Sequence, residues 1–153
     1  LATAISTDNF VAMGDANGLV KVFKLFGNSA PAELIGHSSQ IDQIEFSTDG
    51  RFIATASKDK TGKLWNRHEP NTQPIDLKDH PTWVWPIAFS PDNNQILAGT
   101  QESVVRSWPT TIEAMSGKIC GQIDRNLSQD EWTLFVSEDI DYEKTCENIP
   151  EGE

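Results

Sequence analysis

Basic residues are scarce in this sequence of 153 residues. Twelve lysines and arginines stand against 23 aspartates and glutamates, a net charge of −11. So little positive charge offers no basic stripe to nucleic-acid phosphates or to an anionic lipid surface. Cysteine is scarce too, with two in the chain and no Cys-x-x-Cys pair, which argues against a disulfide-framed secreted scaffold and against a zinc site. No apolar run approaches the roughly 20 residues a membrane span requires. The segment from Leu1 onward lacks the basic start of a signal peptide, so a cytoplasmic protein is expected. Also missing are a phosphate-binding loop, a dinucleotide fingerprint, a metal-ligand cluster and a plausible exposed nucleophile. No enzyme activity, cofactor or metal is therefore expected. What is there is ordinary for a globular chain: 37% apolar and 23% charged residues, and length enough for a sizeable core.

The acidic charge is unevenly placed. Residues 110–153 carry 11 acidic and 3 basic side chains, against 12 and 9 in residues 1–109. A solvated acidic surface is the plain reading of both.

Three stretches can be written beneath one another without a gap. They are NFVAMGDANGLVKVF (Asn9–Phe23), RFIATASKDKTGKLW (Arg51–Trp65) and NQILAGTQESVVRSW (Asn94–Trp108), offset by 42 and then 43 residues. A fixed period of this length means that the fold is an array of one supersecondary unit. The copies start at once after Leu1 and leave room for three units, so the end of a longer protein is expected. Within a unit the pattern is of short strands and turns. Ile41–Phe46 carries apolar Ile41, Ile44 and Phe46 and closes on Ser47-Thr48-Asp49-Gly50. Strands follow at Phe52–Ala56, up to Trp65, and at Ile75–Leu77. In the next unit Val84, Ile87 and Phe89 repeat the first set, and Ser90-Pro91-Asp92-Asn93 repeats the turn. Four short strands per period of about 40–45 residues predict an all-β fold of β-propeller blades.

Gly36-His37, Phe46-Ser47-Thr48-Asp49-Gly50 and Ala56–Trp65 resemble the WD-repeat motif. The third unit holds Asp79-His80, Phe89-Ser90-Pro91-Asp92 and Trp108 in the same places, and the first has Phe23 where tryptophan is usual. The resemblance covers residues 1–109 and implies three blades, fewer than the four to eight that close a propeller. The missing blades would come from upstream sequence or from another copy of the chain. It also implies that His37, Thr55, Asp59 and Trp65 form a structural hydrogen-bond tetrad. As bare residue types, His37, Thr55 and Asp59 could equally suggest a nucleophilic triad. The third unit has Ala98 and Glu102 at the hydroxyl and carboxylate places; the first has Met13 and Asn17.

The same alignment gives a candidate partner-binding rim. Trp83 and Trp85 take the places of Gln40 and Asp42 near the start of the innermost strand, which in a propeller borders the central channel. Lys58 and Gln101 precede the turn carboxylates and face the same rim. Two tryptophans where the neighbouring blade is polar point to a contact surface.

Residues 110–153 read as an acidic tail, partly helical. Thr110-x-x-Glu113 and Ser128-x-x-Glu131 are capping-box patterns. They open stretches with helical apolar spacing, Ile112, Met115, Ile119 and Ile123, then Trp132, Phe135 and Val136. Lys118–Ile123 could instead be an outer strand of the last blade. Asp139, Asp141 and Glu143 alternate as in a calcium loop, but Lys144 and Pro150 stand where its glycine and glutamate belong, leaving an acidic surface loop. Cys120 and Cys146 are expected as separate small buried side chains rather than a disulfide. Asn126-Leu127-Ser128 matches a glycosylation sequon, though Ser128 is better used as a cap. The string from Cys120 through Trp132 to Pro150 is similar to tails that end bacterial WD-repeat propellers in multidomain signalling proteins with STAND, TIR, caspase-like or kinase modules.

The reading that results is a non-catalytic scaffold that binds a protein or peptide or senses a ligand. Two rivals stand beside it. One is a propeller enzyme whose channel acids include Asp42 and Glu45; the other is a purely structural domain.

Overall fold

A computed structural model describes every residue except Asp79, Glu138 and Glu153. Asp79, part of the motif match in the third unit, thus lies outside the described residues. The chain divides into two compact units, Leu1–Trp108 and Pro109–Glu153.

The first unit is built of antiparallel sheets, each a meander of consecutive strands. β1 (Ala2–Ile5), β2 (Phe10–Gly14), β3 (Val20–Lys24) and β4 (Ala32–Leu34) form one. β5 (Ile41–Phe46), β6 (Phe52–Ser57), β7 (Gly62–Asn66) and β8 (Ile75–Leu77) form the second. β9 (Val84–Phe89), β10 (Gln95–Thr100) and β11 (Val105–Pro109) form a three-stranded third. The turn between the first two strands of each sheet is chemically the same. Ser6, Ser47 and Ser90 each donate a hydroxyl hydrogen bond to the aspartate two residues on, Asp8, Asp49 and Asp92. Asn9, Gly50 and Asn93 then take positive φ (67°, 69° and 57°), which asparagine and glycine tolerate best.

The core lies between the sheets, because each strand alternates its faces and neighbouring sheets meet face to face. Val20, Leu34, Ile41, Ile53 and Trp65 fill the space between the first and second; Ala54, Leu77, Val84, Ile87 and Ile96 fill that between the second and third. At Gly14 the sheets approach so closely that a Cβ would stand 2.6 Å from Ile41 Cβ. Side chains also reach across to neighbouring backbone. Gln43 donates from Nε2 to Ile87 O (2.9 Å) and accepts from Ile87 N–H (3.1 Å), and Glu45 Oε1 accepts from Phe89 N–H (3.1 Å). Arg67 makes a two-pronged bond to Asp8, and Asn93 exchanges bonds with Thr48.

Ile41 and Ile44 are both buried although they are three residues apart. A β-bulge explains it. Ile41 pairs with Ser57 and Gln43 with Ala56, leaving Asp42 as an extra residue. In the third sheet Val84 pairs with Thr100 and Ile87 with Ala98, so Trp85 and Pro86 together face Gly99. Bulges re-aim side chains at one end of a strand, and both of these lie where the candidate rim was placed.

In the second unit α1 (Ile112–Cys120) and α2 (Gln129–Phe135) are helices. The cap of α1 is Thr111, whose hydroxyl accepts from Ala114 N–H, one residue beyond the expected Thr110. Two adjacent threonines compete for one cap, and the chain uses the second. α2 has a full capping box, Ser128 with Glu131, and Arg125 forks onto that glutamate, which holds its carboxyl down at about 2. Neither helix contains a buried residue, although both carry apolar side chains at helical spacing. The expectation of separate side chains at Cys120 and Cys146 is corrected, because they are joined in a disulfide with Cα atoms 5.7 Å apart. Disulfides belong to oxidising compartments, which the cytoplasmic expectation did not include. Among the described residues no helix is long and apolar enough to cross a membrane.

Candidate functional site

Two constellations were expected in the first unit, and the structure places them apart in chemistry. The tetrad residues come together in one buried chain of hydrogen bonds. His37 Nδ1 lies 2.8 Å from Asp59 Oδ2, and Nε2 lies 2.7 Å from Thr55 Oγ1. Trp65 donates its indole N–H to the same hydroxyl at 2.9 Å. Proton accounting fixes one arrangement. The Asp59 carboxylate only accepts, so Nδ1 carries the ring proton, and Nε2 of the neutral ring accepts from the Thr55 hydroxyl, which in turn accepts from the indole N–H. That imidazole is neutral. Burial pulls its pKa below 6.5, and the attraction of Asp59 does not restore it. Burial raises Asp59, but bonds from Thr61, Ser38 N–H and His37 outweigh that and bring it down to about 2. Thr55 is fully buried, with its hydroxyl bonded on both sides, so it cannot meet a substrate. The nucleophilic reading of these residues has no geometry behind it. In the third sheet His80 is buried against Trp108, ring centroids 5.1 Å apart.

The rim residues surround a cavity of about 610 Å³ lined by Asp42, Lys58, Trp83, Trp85, Pro86, Thr100 and Gln101. Gln40 stands behind this lining, donating to Asp42 Oδ1 at 2.8 Å and accepting from Lys58 Nζ at 3.3 Å. Trp83 is 50% and Trp85 61% exposed, a large apolar area for a monomer surface to leave to water. Lys58 Nζ sits 5.1 Å above the Trp83 ring, within cation–π range. The sequence did not point to Pro86 and Thr100. Thr100 takes the place of buried Ser57 in the repeat, and Pro86 that of Gln43, so the alignment held a signal for position but none for chemistry. Glu45, the second acid of the enzyme rival, is absent from the lining. Its carboxylate caps the Phe89 N–H, and burial raises its pKa. Among the described residues no cluster of three or more His, Cys, Asp or Glu could hold a metal.

Comparison with known proteins bears on the family and the fold. A family model described as WD domain, G-beta repeat matches residues 29–66 and 71–109. WD repeat and SOCS box-containing protein 1 of Homo sapiens is 28% identical over 99 residues, covering 64% of this chain and 24% of that protein. Jouberin of Rattus norvegicus is 27% identical over 97 residues, 63% of this chain and 9% of its own length. Protein FIZZY-RELATED 2 of Arabidopsis thaliana is 33% identical over 113 residues, 70% of this chain and 22% of its length. The chain thus spans about a quarter or less of these relatives. Among solved structures, the WD40 β-propeller domain of Doa1 superposes with a TM-score of 0.58 at 20% identity, covering 71% of this chain and 36% of that one. That last likeness is one of fold.

Proposed function

This chain belongs to the WD-repeat family, and we propose that it is a non-catalytic interaction platform whose partner, a protein or peptide, docks on the rim of Gln40, Asp42, Lys58, Trp83, Trp85 and Gln101. One observation carries the reading. Bulges in β5 and β9 turn Asp42 and Trp85 into the same cavity, where two half-exposed tryptophans stand over a tetrad-braced scaffold. Exposed tryptophans of this kind are typical binding hot spots. The double variant Trp83→Ala, Trp85→Ala is expected to weaken a partner co-purified with the wild type by about 30-fold or more, at unchanged melting temperature. Full retention of that partner would favour the purely structural alternative. The enzyme alternative is weaker, since only Asp42 of its two acids reaches the cavity.

We further propose that the sheets are part of a larger ring, completed by other blades of a longer protein or by a second copy. An array of this size leaves apolar side chains such as Ile5 and Val105 in water, which completion of the ring would cover. Light scattering on a sizing column is expected to give a dimer or higher oligomer of the 153-residue chain, or a poorly cooperative monomer. A stable, cooperatively melting monomer would refute ring completion. The resemblance of the tail supports, as a finer proposal, a bacterial signalling protein with an effector module upstream; a gene encoding no such module would remove it.

A further inference from the structure

The rim cavity already holds a cation of its own. Lys58 Nζ is 5.1 Å from the centre of the Trp83 ring, 3.3 Å from Gln40 Oε1 and 4.0 Å from Asp42 Oδ1. An indole face, an amide oxygen and a carboxylate are the groups that recognise an ammonium or guanidinium. The lysine is loosely held there. Its side chain is 33% exposed, and an ion pair at 4.0 Å in contact with water contributes little. Trp85, on the same cavity, is open. Thr100 Oγ1 lies in the wall, buried and with no hydrogen-bond partner among the described residues. Residues 1–109, which hold the cavity, carry 12 acidic and 9 basic side chains, a small bias toward basic segments.

We infer that the cavity takes a lysine or arginine side chain from a basic peptide segment, and that Lys58 is the internal surrogate this side chain displaces. The exchange costs little, because the incoming cation meets the same indole face and carboxylate that Lys58 leaves, while the lysine head swings into water. The inference rests on the rim being the partner surface, and it adds the partner's chemistry. A consequence separates it from simple contact models: removing the positive charge of Lys58 improves binding of a cation.

The test uses four acetylated, amidated pentapeptides, Gly-Gly-X-Gly-Gly with lysine, arginine, leucine or glutamate at X. They are titrated against the 153-residue chain by calorimetry and tryptophan fluorescence. Lys58→Met keeps the apolar stem and removes the charge. It is expected to bind the lysine and arginine peptides roughly two- to fivefold more tightly than wild type, and Asp42→Asn is expected to weaken them. The leucine and glutamate peptides are expected not to bind. Equal binding of the leucine peptide, no binding of any peptide, or unchanged cation affinity in Lys58→Met would overturn the inference. If Lys58→Met melts below wild type, Lys58→Gln is read in its place. Loss of the co-purified partner in the tryptophan double variant, with Lys58→Met indifferent to cations, would keep the rim as the docking surface and reject the cationic ligand.

Discussion

His37→Ala is expected to lower the stability of the first unit by about 1–3 kcal/mol, because it takes from the buried Thr55 hydroxyl its acceptor and leaves Asp59 Oδ2 with the Ser38 N–H alone. For a unit of this size that is a fall in melting temperature of about 4–20 °C. The variant should be nearly silent in peptide binding, since His37 does not line the rim cavity. The pH dependence gives a sharper signature. The folded imidazole titrates below its unfolded value of 6.5, held down by burial, so as pH falls through 6.5 the unfolded chain takes up a proton that the folded chain refuses. Wild-type stability therefore declines on acidification from 6.5, and the part owed to His37 disappears in the alanine variant. The difference between the two proteins narrows as the pH drops. Asp59 adds a second step of the same sign. Its unfolded carboxylate protonates near 3.8 and its folded one near 2, so its stabilisation is present above 3.8 and lost across that interval. Thermal melts at half-unit steps between pH 7.5 and 5 check the first step. Identical melting curves at pH 7.5 would mean that the buried chain of bonds contributes nothing.

That network was legible through the resemblance to the WD-repeat motif, which implies it for His37, Thr55, Asp59 and Trp65; the period alone does not, since Ala98 and Met13 stand at the hydroxyl place of the other units. With a fixed period, a residue is read by its place in the unit, and Ile41, Ile44 and Phe46 announce Val84, Ile87 and Phe89. The candidate rim came from the period: Trp83 and Trp85 stand out only when set over Gln40 and Asp42. The bulge was not read, although the three-residue spacing from Ile41 to Ile44 encodes it, because strand alternation alone expects a spacing of two. Pro86 and Thr100 were missed since neither carries a chemical label. The tail shows the opposite case. Its apolar spacing gave two helices, but Ile112, Ile119 and Phe135 on them remain exposed, so packing does not order it. Its order comes from single polar locks and one disulfide, which have no period. Ser128 with Glu131 was readable because a capping box is a local pattern; Thr110 against Thr111 was not, because either could serve.

Asn126 is where that order concentrates, and its loss is expected to have the larger effect on the second unit. The residue is 2% exposed, and its side chain uses both donors and one acceptor position on the loop. Nδ2 donates to Cys146 O at 2.9 Å and Ile149 O at 2.7 Å, and Oδ1 accepts from Cys146 N–H at 2.9 Å. The backbone closes the same junction, Asn126 N–H to Pro150 O and Gly152 N–H to Asn126 O. An amide so engaged has no nitrogen to offer a glycan, which disposes of the sequon. Asn126→Ala leaves the Cys146 N–H and the Ile149 carbonyl without the Asn126 amide, while the Cys146 carbonyl keeps the Ile149 N–H, a cost of about 2–4 kcal/mol. Because the disulfide still tethers Cys146 to Cys120, the segment will loosen without departing. The expected result is hydrogen exchange at the Cys146 amide faster by about 30-fold or more, with amides of β6 and β7 unchanged. Asn126→Asp, equal in size but without the donors and with a charge against two carbonyls, should be at least as damaging. Protection of the Cys146 amide that survived both substitutions would show that the disulfide and the backbone bonds order this loop by themselves.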